Sequence, residues 1–247
     1  MTIRIFTVAL LAGLAAGLVV SAMQHFTTTP IILHAEQYES GSAGGGHASL
    51  NLDARGLGGA KLFLAHGAAE HAQDGAEPWA PEDGIERTLY TVLANVLTGM
   101  GFALVLTAVM FMRGRPVDGR QGVVWGLAGF AIVSLAPSLG LPPEVPGSVA
   151  AELNARQIWW AFCAVSTAAG LALMFLGNKS WMPAIGVLAL LVPHIVGAPH
   201  PDEMGGAVPP ELAAHFVAAS LVTAAVFWAF LGWITGTLAK RFQLIAD

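Results

Sequence analysis

The stretch Ile5–Phe26 reads IFTVALLAGLAAGLVVSAMQHF, an apolar run with no Asp, Glu, Lys or Arg in it. A bilayer core about 30 Å thick takes roughly 20 mostly apolar residues of helix, so this run is long enough to cross. In lipid the backbone has to satisfy its own hydrogen bonds, which selects a helix. Working outward, five further stretches share the character: Thr88–Met112, Gln121–Leu139, Ile158–Gly177, Trp181–Ala198 and Glu211–Leu238. None alternates with the period of two that a barrel strand needs. The predicted fold is all-α: a polytopic membrane helix bundle of about six transmembrane helices with one long external loop. Residues 1–26 form the first helix, 27–87 an acidic, histidine-containing external loop, and 88–247 a five-helix membrane bundle.

Composition agrees with this reading. Of 247 residues, 55% are hydrophobic and 11% charged, whereas a soluble domain carries about a quarter charged residues. That deficit excludes an ordinary soluble enzyme. A net charge of -5, with eleven basic residues spread along the chain, leaves no basic face for phosphates, and no nucleic-acid partner is expected. The single cysteine, Cys163, excludes a disulfide framework or a cysteine-based zinc or iron–sulfur site within the chain. There is no GxxxxGK[ST], HExxH or GxSxG motif, so no enzyme is expected, and energy input has to come from a gradient or a partner.

Basic residues orient the spans, because cytoplasmic loops near span ends hold an excess of Lys and Arg. If the spans alternate, Arg4, Arg113, Arg115, Arg120, Lys179, Lys240 and Arg241 share one side, against Arg55, Lys61, Arg87 and Arg156 on the other. Both termini are then cytoplasmic. Val20-Ser21-Ala22 resembles a signal-peptidase site, but the apolar run exceeds a signal core of about 7–15 residues, which favours an uncleaved anchor. Cleavage would leave five spans.

The segment Thr27–Arg87 holds Glu36, Glu39, Asp53, Glu70, Asp74, Glu77, Glu82, Asp83 and Glu86, more than half of the 16 acidic residues. Glycines at Gly41–Gly46 and Gly56–Gly59 read as turns, and Lys61–Gln73 has a short helical pattern. The segment is expected to be an external cap rather than a second domain.

In this topology all eight histidines fall on the outer side or at its boundary. Neutral imidazole and carboxylate are the usual N/O ligands of divalent transition metals, so the outer mouth suits a metal cation. The candidate ligands are His194, His215, His25 and His200, with Glu36, Asp83, Glu86 and Glu211. His47 and His71 are read as solvated surface residues, although His66, Glu70 and His71 would share part of a turn. His194 follows Pro193, which can open the helix and offer free carbonyls beside the imidazole. His215 stands one turn after Glu211. For both, a metal ligand and a histidine hydrogen-bonded at the headgroup boundary stand level. The GxxxG spacings Gly13/Gly17, Gly122/Gly126 and Gly232/Gly236 report close helix packing. Asn95, Ser134 and Ser220 are read as interhelical hydrogen-bonding positions.

Several motifs carry a family resemblance. Trp79-Ala80-Pro81-Glu82-Asp83-Gly84-Ile85-Glu86-Arg87-Thr88, Ala136-Pro137-Ser138-Leu139-Gly140-Leu141-Pro142-Pro143-Glu144, Ala155-Arg156-Gln157-Ile158-Trp159-Trp160, Pro193-His194-Ile195-Val196-Gly197-Ala198-Pro199 and Val208-Pro209-Pro210-Glu211-Leu212, in this order and with Ala35-Glu36-Gln37-Tyr38-Glu39 after the first span, closely resemble the CbtA family of probable cobalt transporter subunits. The resemblance implies a multi-pass protein of the bacterial inner membrane acting in cobalt uptake, alongside a small one-span CbtB-type subunit with a histidine-rich end. That family is described with about five spans, where hydropathy here gives six. The expected function is a membrane subunit that captures Co(II) at the external mouth and passes it inward, with the ion as cargo and no permanently bound cofactor. The rival is a non-transporting membrane metal-binding or assembly partner. The N/O ligand set alone does not single out Co(II), since such sites prefer Ni(II) or Cu(II).

Overall fold

The computed structural model describes residues 2–45, 81–201 and 205–244. These form seven helices: α1 (Thr2–Phe26), α2 (Thr28–Gly45), α3 (Ile85–Met112), α4 (Gly119–Ser138), α5 (Leu153–Leu176), α6 (Met182–Val196) and α7 (Pro210–Arg241). No strand occurs among the described residues, only an isolated bridge between Ser148 and Gly206. The fold is the expected all-α bundle, and the chain is a multi-pass membrane protein.

Two expectations need correction. Five helices, α1, α3, α4, α5 and α7, are long and apolar enough to cross a membrane, not six. The stretch expected at Trp181–Ala198 condenses to α6, whose 15 residues rise about 22 Å at 1.5 Å each, short of a core of about 30 Å. Its ends explain this: Trp181 is the N-cap, and Gly197 stops the helix with φ 86 just before Pro199. The second correction concerns Thr27–Arg87. After a one-residue turn at Thr27 the chain re-enters a helix, α2, and Ile85 already begins α3. α2 forms because Ile31 and Ala35, one turn apart, are buried against Phe216 of α7 and Val145. Its acidic and glycine content had made it look like a loop. Lys61–Gln73, His47, His66 and His71 lie outside the described residues.

Small residues set the packing. Between lipid-embedded helices there is no hydrophobic drive, so close van der Waals contact decides which faces meet. α1 and α3 run antiparallel with Gly13 against Met100 and Gly17 against Val96, so close that a Cβ on Gly13 would lie 2.3 Å from the Met100 Cα. α4 and α7 pair in the same way through Gly122, Gly126, Gly232 and Gly236. The GxxxG spacings thus mark backbone contacts, as expected. The pairs join in one core that includes Ala9, Ala12, Ala16, Ala103, Leu106 and Leu231. Larger side chains such as Leu10, Leu97, Val105, Val124 and Val222 point outward and are exposed, the inverse of a soluble bundle.

α5 and α6 form a separate antiparallel hairpin around Gly170 and Gly186. α5 meets this body through Ala131–Ser138, the last turns of α4. Pro137 has no N–H for the carbonyl of Val133, and just before it the helix widens to π geometry over Ala131–Leu135, the Ala136 N–H reaching back to the Ala131 carbonyl. At the start of α5 the exposed Glu152 carboxylate accepts from the N–H groups of Asn154 and Ala155, which hold its pKa below the usual range.

The basic residues do gather at one end. Arg4 donates to the Phe242 carbonyl at 3.3 Å, Arg113 lies over the Trp125 ring at 5.6 Å, and Arg4, Asp118 and Lys240 line one hollow there. Of the described histidines, His25, His194 and His215 lie in the end turns of helices at the opposite, α2, end, His200 lies in the loop there, and His34 lies within α2.

Candidate functional site

At the α2 end, α1, α3, α4 and α7 part around a cavity of about 820 Å³. The sequence changes there along each helix. α1 contributes Ser21, Gln24 and His25, α2 contributes Thr28, α3 contributes Thr88, Thr91, Asn95 and Thr98, α7 contributes Ser220 and Thr223, and the π stretch of α4 contributes Ser134. The α3 positions recur at intervals of three and four, which places them on one helical face. Polar positions in a membrane bundle usually face its interior or an aqueous cavity; here they line one side of a vestibule whose surface is otherwise mostly apolar.

The wall is cross-braced. Asn95 Nδ2 donates to Ser21 Oγ at 3.0 Å and to Gln24 Oε1 at 2.6 Å, so its expected role between helices is observed. Ser21 Oγ in turn donates to the Gly17 carbonyl at 2.7 Å. Thr27 and Thr223 bring their hydroxyls to 3.3 Å, pinning the α1–α2 turn to α7. Thr88 and Thr91 each donate at 2.8 Å to a carbonyl of their own turn. A hydroxyl that spends its proton this way keeps its oxygen lone pairs for another partner, so the wall presents neutral oxygen acceptors.

Aromatic rings close the floor. Phe102 and Trp228 have centroids 4.7 Å apart, and Phe227 lies 5.8 Å from Trp228. Below them come the α4–α7 glycine contacts, and then a second hollow of about 680 Å³ at the basic end, lined by Thr107, Asp118 and Gln121 among others. Phe102 and Thr107 are five residues apart on α3, so the septum is about 7.5 Å thick along that helix. At the mouth, Arg87 bridges α2 and α3. Its Nη2 meets Glu36 Oε1 at 2.5 Å, and its Nη1 meets Glu36 Oε2 at 3.1 Å and Asp83 Oδ1 at 3.0 Å.

The structure disperses the expected ligands. His25 and Asp83 line the vestibule, and Glu36 reaches its mouth through Arg87. Glu86 accepts from the Glu82 N–H at 3.4 Å. Glu211 and His215 are exposed on the first turns of α7, and His200 is exposed between α6 and α7. His194 lies edge-on to Trp159 at 5.9 Å, away from the vestibule wall. Among the described residues no three His, Cys, Asp or Glu side chains come together as a metal-binding group. The carbonyl of Pro193 is not free: it accepts from Gly197 N at 3.0 Å and from Trp159 Nε1 at 3.3 Å. The threonine stripe of α3 escaped the sequence reading, which weighed polar positions singly; its three-and-four spacing was the available signal.

In comparison with known proteins, the family described as probable cobalt transporter subunit (CbtA) matches residues 2–240. No curated protein and no solved structure matches the chain.

Proposed function

This chain belongs to the CbtA family of probable cobalt transporter subunits, and from that premise we propose that it takes Co(II) into the hydroxyl- and amide-lined vestibule from the outer side of the bacterial inner membrane and passes it inward. The asymmetry of Lys and Arg supports a cytoplasmic basic end and cytoplasmic termini. The observation that carries the reading is the polar wall itself, because polar groups inside a membrane bundle are costly and mark pathways.

Glu36 and Asp83 raise the cation concentration at the mouth, and His25 offers a nitrogen ligand on the way in. Within the vestibule, hydroxyl and amide oxygens replace waters of the hydration shell a few at a time. Neutral oxygens bind a divalent transition metal weakly, which suits an ion that has to leave again. Passage to the second hollow requires Phe102, Phe227 and Trp228 to part, since an apolar constriction excludes a hydrated ion. A small one-span CbtB-type subunit is the proposed partner, able to supply ligands that this chain does not assemble. The alternative reading is a non-transporting membrane metal-binding or assembly partner of another membrane complex.

One experiment separates them. Purified chain in liposomes, alone and with the one-span subunit, is given radiolabelled Co(II) outside. Accumulation is expected, falling about tenfold in Thr98→Trp, whose ring projects into the vestibule and obstructs it, while the thermal transition of that variant stays near wild type. Binding without accumulation in either preparation would favour the assembly reading.

A further inference from the structure

A third hollow, of about 770 Å³, lies outside the four-helix body, where α5 meets the last turns of α4 and faces α7. Its upper end holds an ion pair: Arg156 Nη2 donates to Glu144 Oε2 at 2.7 Å, and each side chain is 29% exposed. That is the single bond of the Arg156 guanidinium among the described residues, and its Nε is enclosed without a partner. The pair therefore keeps unbonded N–H donors on one side and an unbonded carboxylate oxygen on the other. The lower wall is mostly apolar, formed by Val133, Ala161, Leu221 and Ala224 with Ser134 and Ser220 at its back. The rim residues Leu139, Leu153 and Trp160 are exposed although apolar, as befits a surface in contact with acyl chains.

An ion pair with both partners incompletely bonded, at the top of an apolar groove in a membrane bundle, is complementary to a dipolar amphiphile. We infer that the groove seats a phospholipid whose headgroup joins a phosphate diester to a primary ammonium. The phosphate takes the spare N–H donors of Arg156, whose planar fork matches phosphate oxygens. The ammonium takes the open oxygen of Glu144, and one acyl chain runs down between α5 and α7. Charge complementarity selects this occupant: Glu144 repels a purely anionic headgroup, Arg156 repels a cationic one, and a quaternary ammonium has no N–H to donate. The site is independent of cobalt. It also adjoins the vestibule, since Ser134 and Ser220 border both hollows, so a seated lipid would back the vestibule wall.

The full chain, delipidated in detergent, is titrated with phosphatidylethanolamine, phosphatidylcholine, phosphatidylglycerol and inorganic phosphate, and bound lipid is counted by native mass spectrometry alongside thermal unfolding. Phosphatidylethanolamine is expected to bind tightest and to raise the unfolding temperature most. Arg156→Gln should weaken it about tenfold, and Glu144→Gln should abolish its advantage over phosphatidylglycerol. Ala161→Phe fills the groove below without touching the ion pair; it should lose the lipid while keeping elution volume and helicity, which leaves a test should Arg156→Gln misfold. Equal binding of phosphatidylglycerol by wild type would overturn the inference. So would an equal shift from inorganic phosphate, or an Ala161→Phe variant that keeps lipid and instead loses a co-purifying polypeptide.

Discussion

Toward the basic end, Gly122 of α4 and Gly232 of α7 meet so closely that a Cβ on either would lie 2.2 Å from the other's carbonyl oxygen. Roughly three turns away, the same two helices face each other across a cavity of about 820 Å³, with Ser134 and Ser220 on its wall. α1 and α3 stay closer, with Gly13 in backbone contact with Gly99 and Gly17 with Val96, and beside this contact Asn95 donates to Ser21. What stands in the seam sets the helices' separation. Glycine lets backbones touch, whereas Phe102, Phe227 and Trp228 force them apart and hydroxyl and amide groups line what opens beyond. The α4–α7 seam thus has a tight half and an open half with the aromatic rings at the boundary, while α1 and α3 stay in backbone contact alongside the cavity.

The largest expected effect comes from placing a side chain in the tight half. Gly126→Val would put a Cβ 2.0 Å from the Trp228 carbonyl oxygen, where neither backbone can yield without parting α4 from α7. Overpacking typically costs about 1–3 kcal/mol, and in detergent the variant should unfold at clearly lower temperature. Gly101→Ala is the control: nothing lies within 4 Å of its Cβ, and the better helix former should leave stability equal or up to about 1 kcal/mol higher. Equal loss from both would break the idea of a glycine seam.

In the open half the cost is smaller and the functional effect larger. Asn95→Leu removes both donors that brace α3 against Ser21 and Gln24. Interhelical hydrogen bonds in membranes contribute about 0.6–2 kcal/mol, so a modest fall in unfolding temperature should accompany a severalfold loss of Co(II) accumulation. A stability loss as large as that of Gly126→Val would mean that this half, too, is held by tight packing. Smallest is the mouth. The Arg87–Glu36 pair is about one-third exposed on each side, and pairs of that kind contribute about 0–1 kcal/mol. Arg87→Gln should hardly change stability, yet it removes a positive charge from beside Glu36 and Asp83. Co(II) capture at low ionic strength should rise a few-fold and lose the gain at high salt; unchanged capture would remove these carboxylates from the entry path.

Much of this was legible in particular residues. Five of the six apolar runs became spans, the glycine pairs met where their spacing said, and Asn95 bonded across helices. The sixth run failed because hydropathy counts apolar residues and not helix length, and Trp181 and Gly197 cut α6 short. α2 was hidden because its buried stripe is narrow, essentially Ile31 and Ala35, amid polar neighbours. The vestibule was hidden because a threonine in a membrane helix looks the same whether it faces lipid, a neighbour or a cavity.

Composition and pattern alone were enough for the chain's crossing a membrane as helices, for most of the described basic residues lying at one end and for the described histidines avoiding it. These are properties of composition and of a single helix's period, and they need no knowledge of neighbours. Only the tertiary structure decided that the α3 threonines share a cavity with Ser21, Gln24 and Ser220, that His194 and His215 stay apart from it, and that Arg87 ties α2 over its mouth. The physical reason is that helix separation depends on the volumes meeting across each seam, and those volumes come from residues far apart in the chain, such as Gly122 with Gly232 and Phe102 with Trp228.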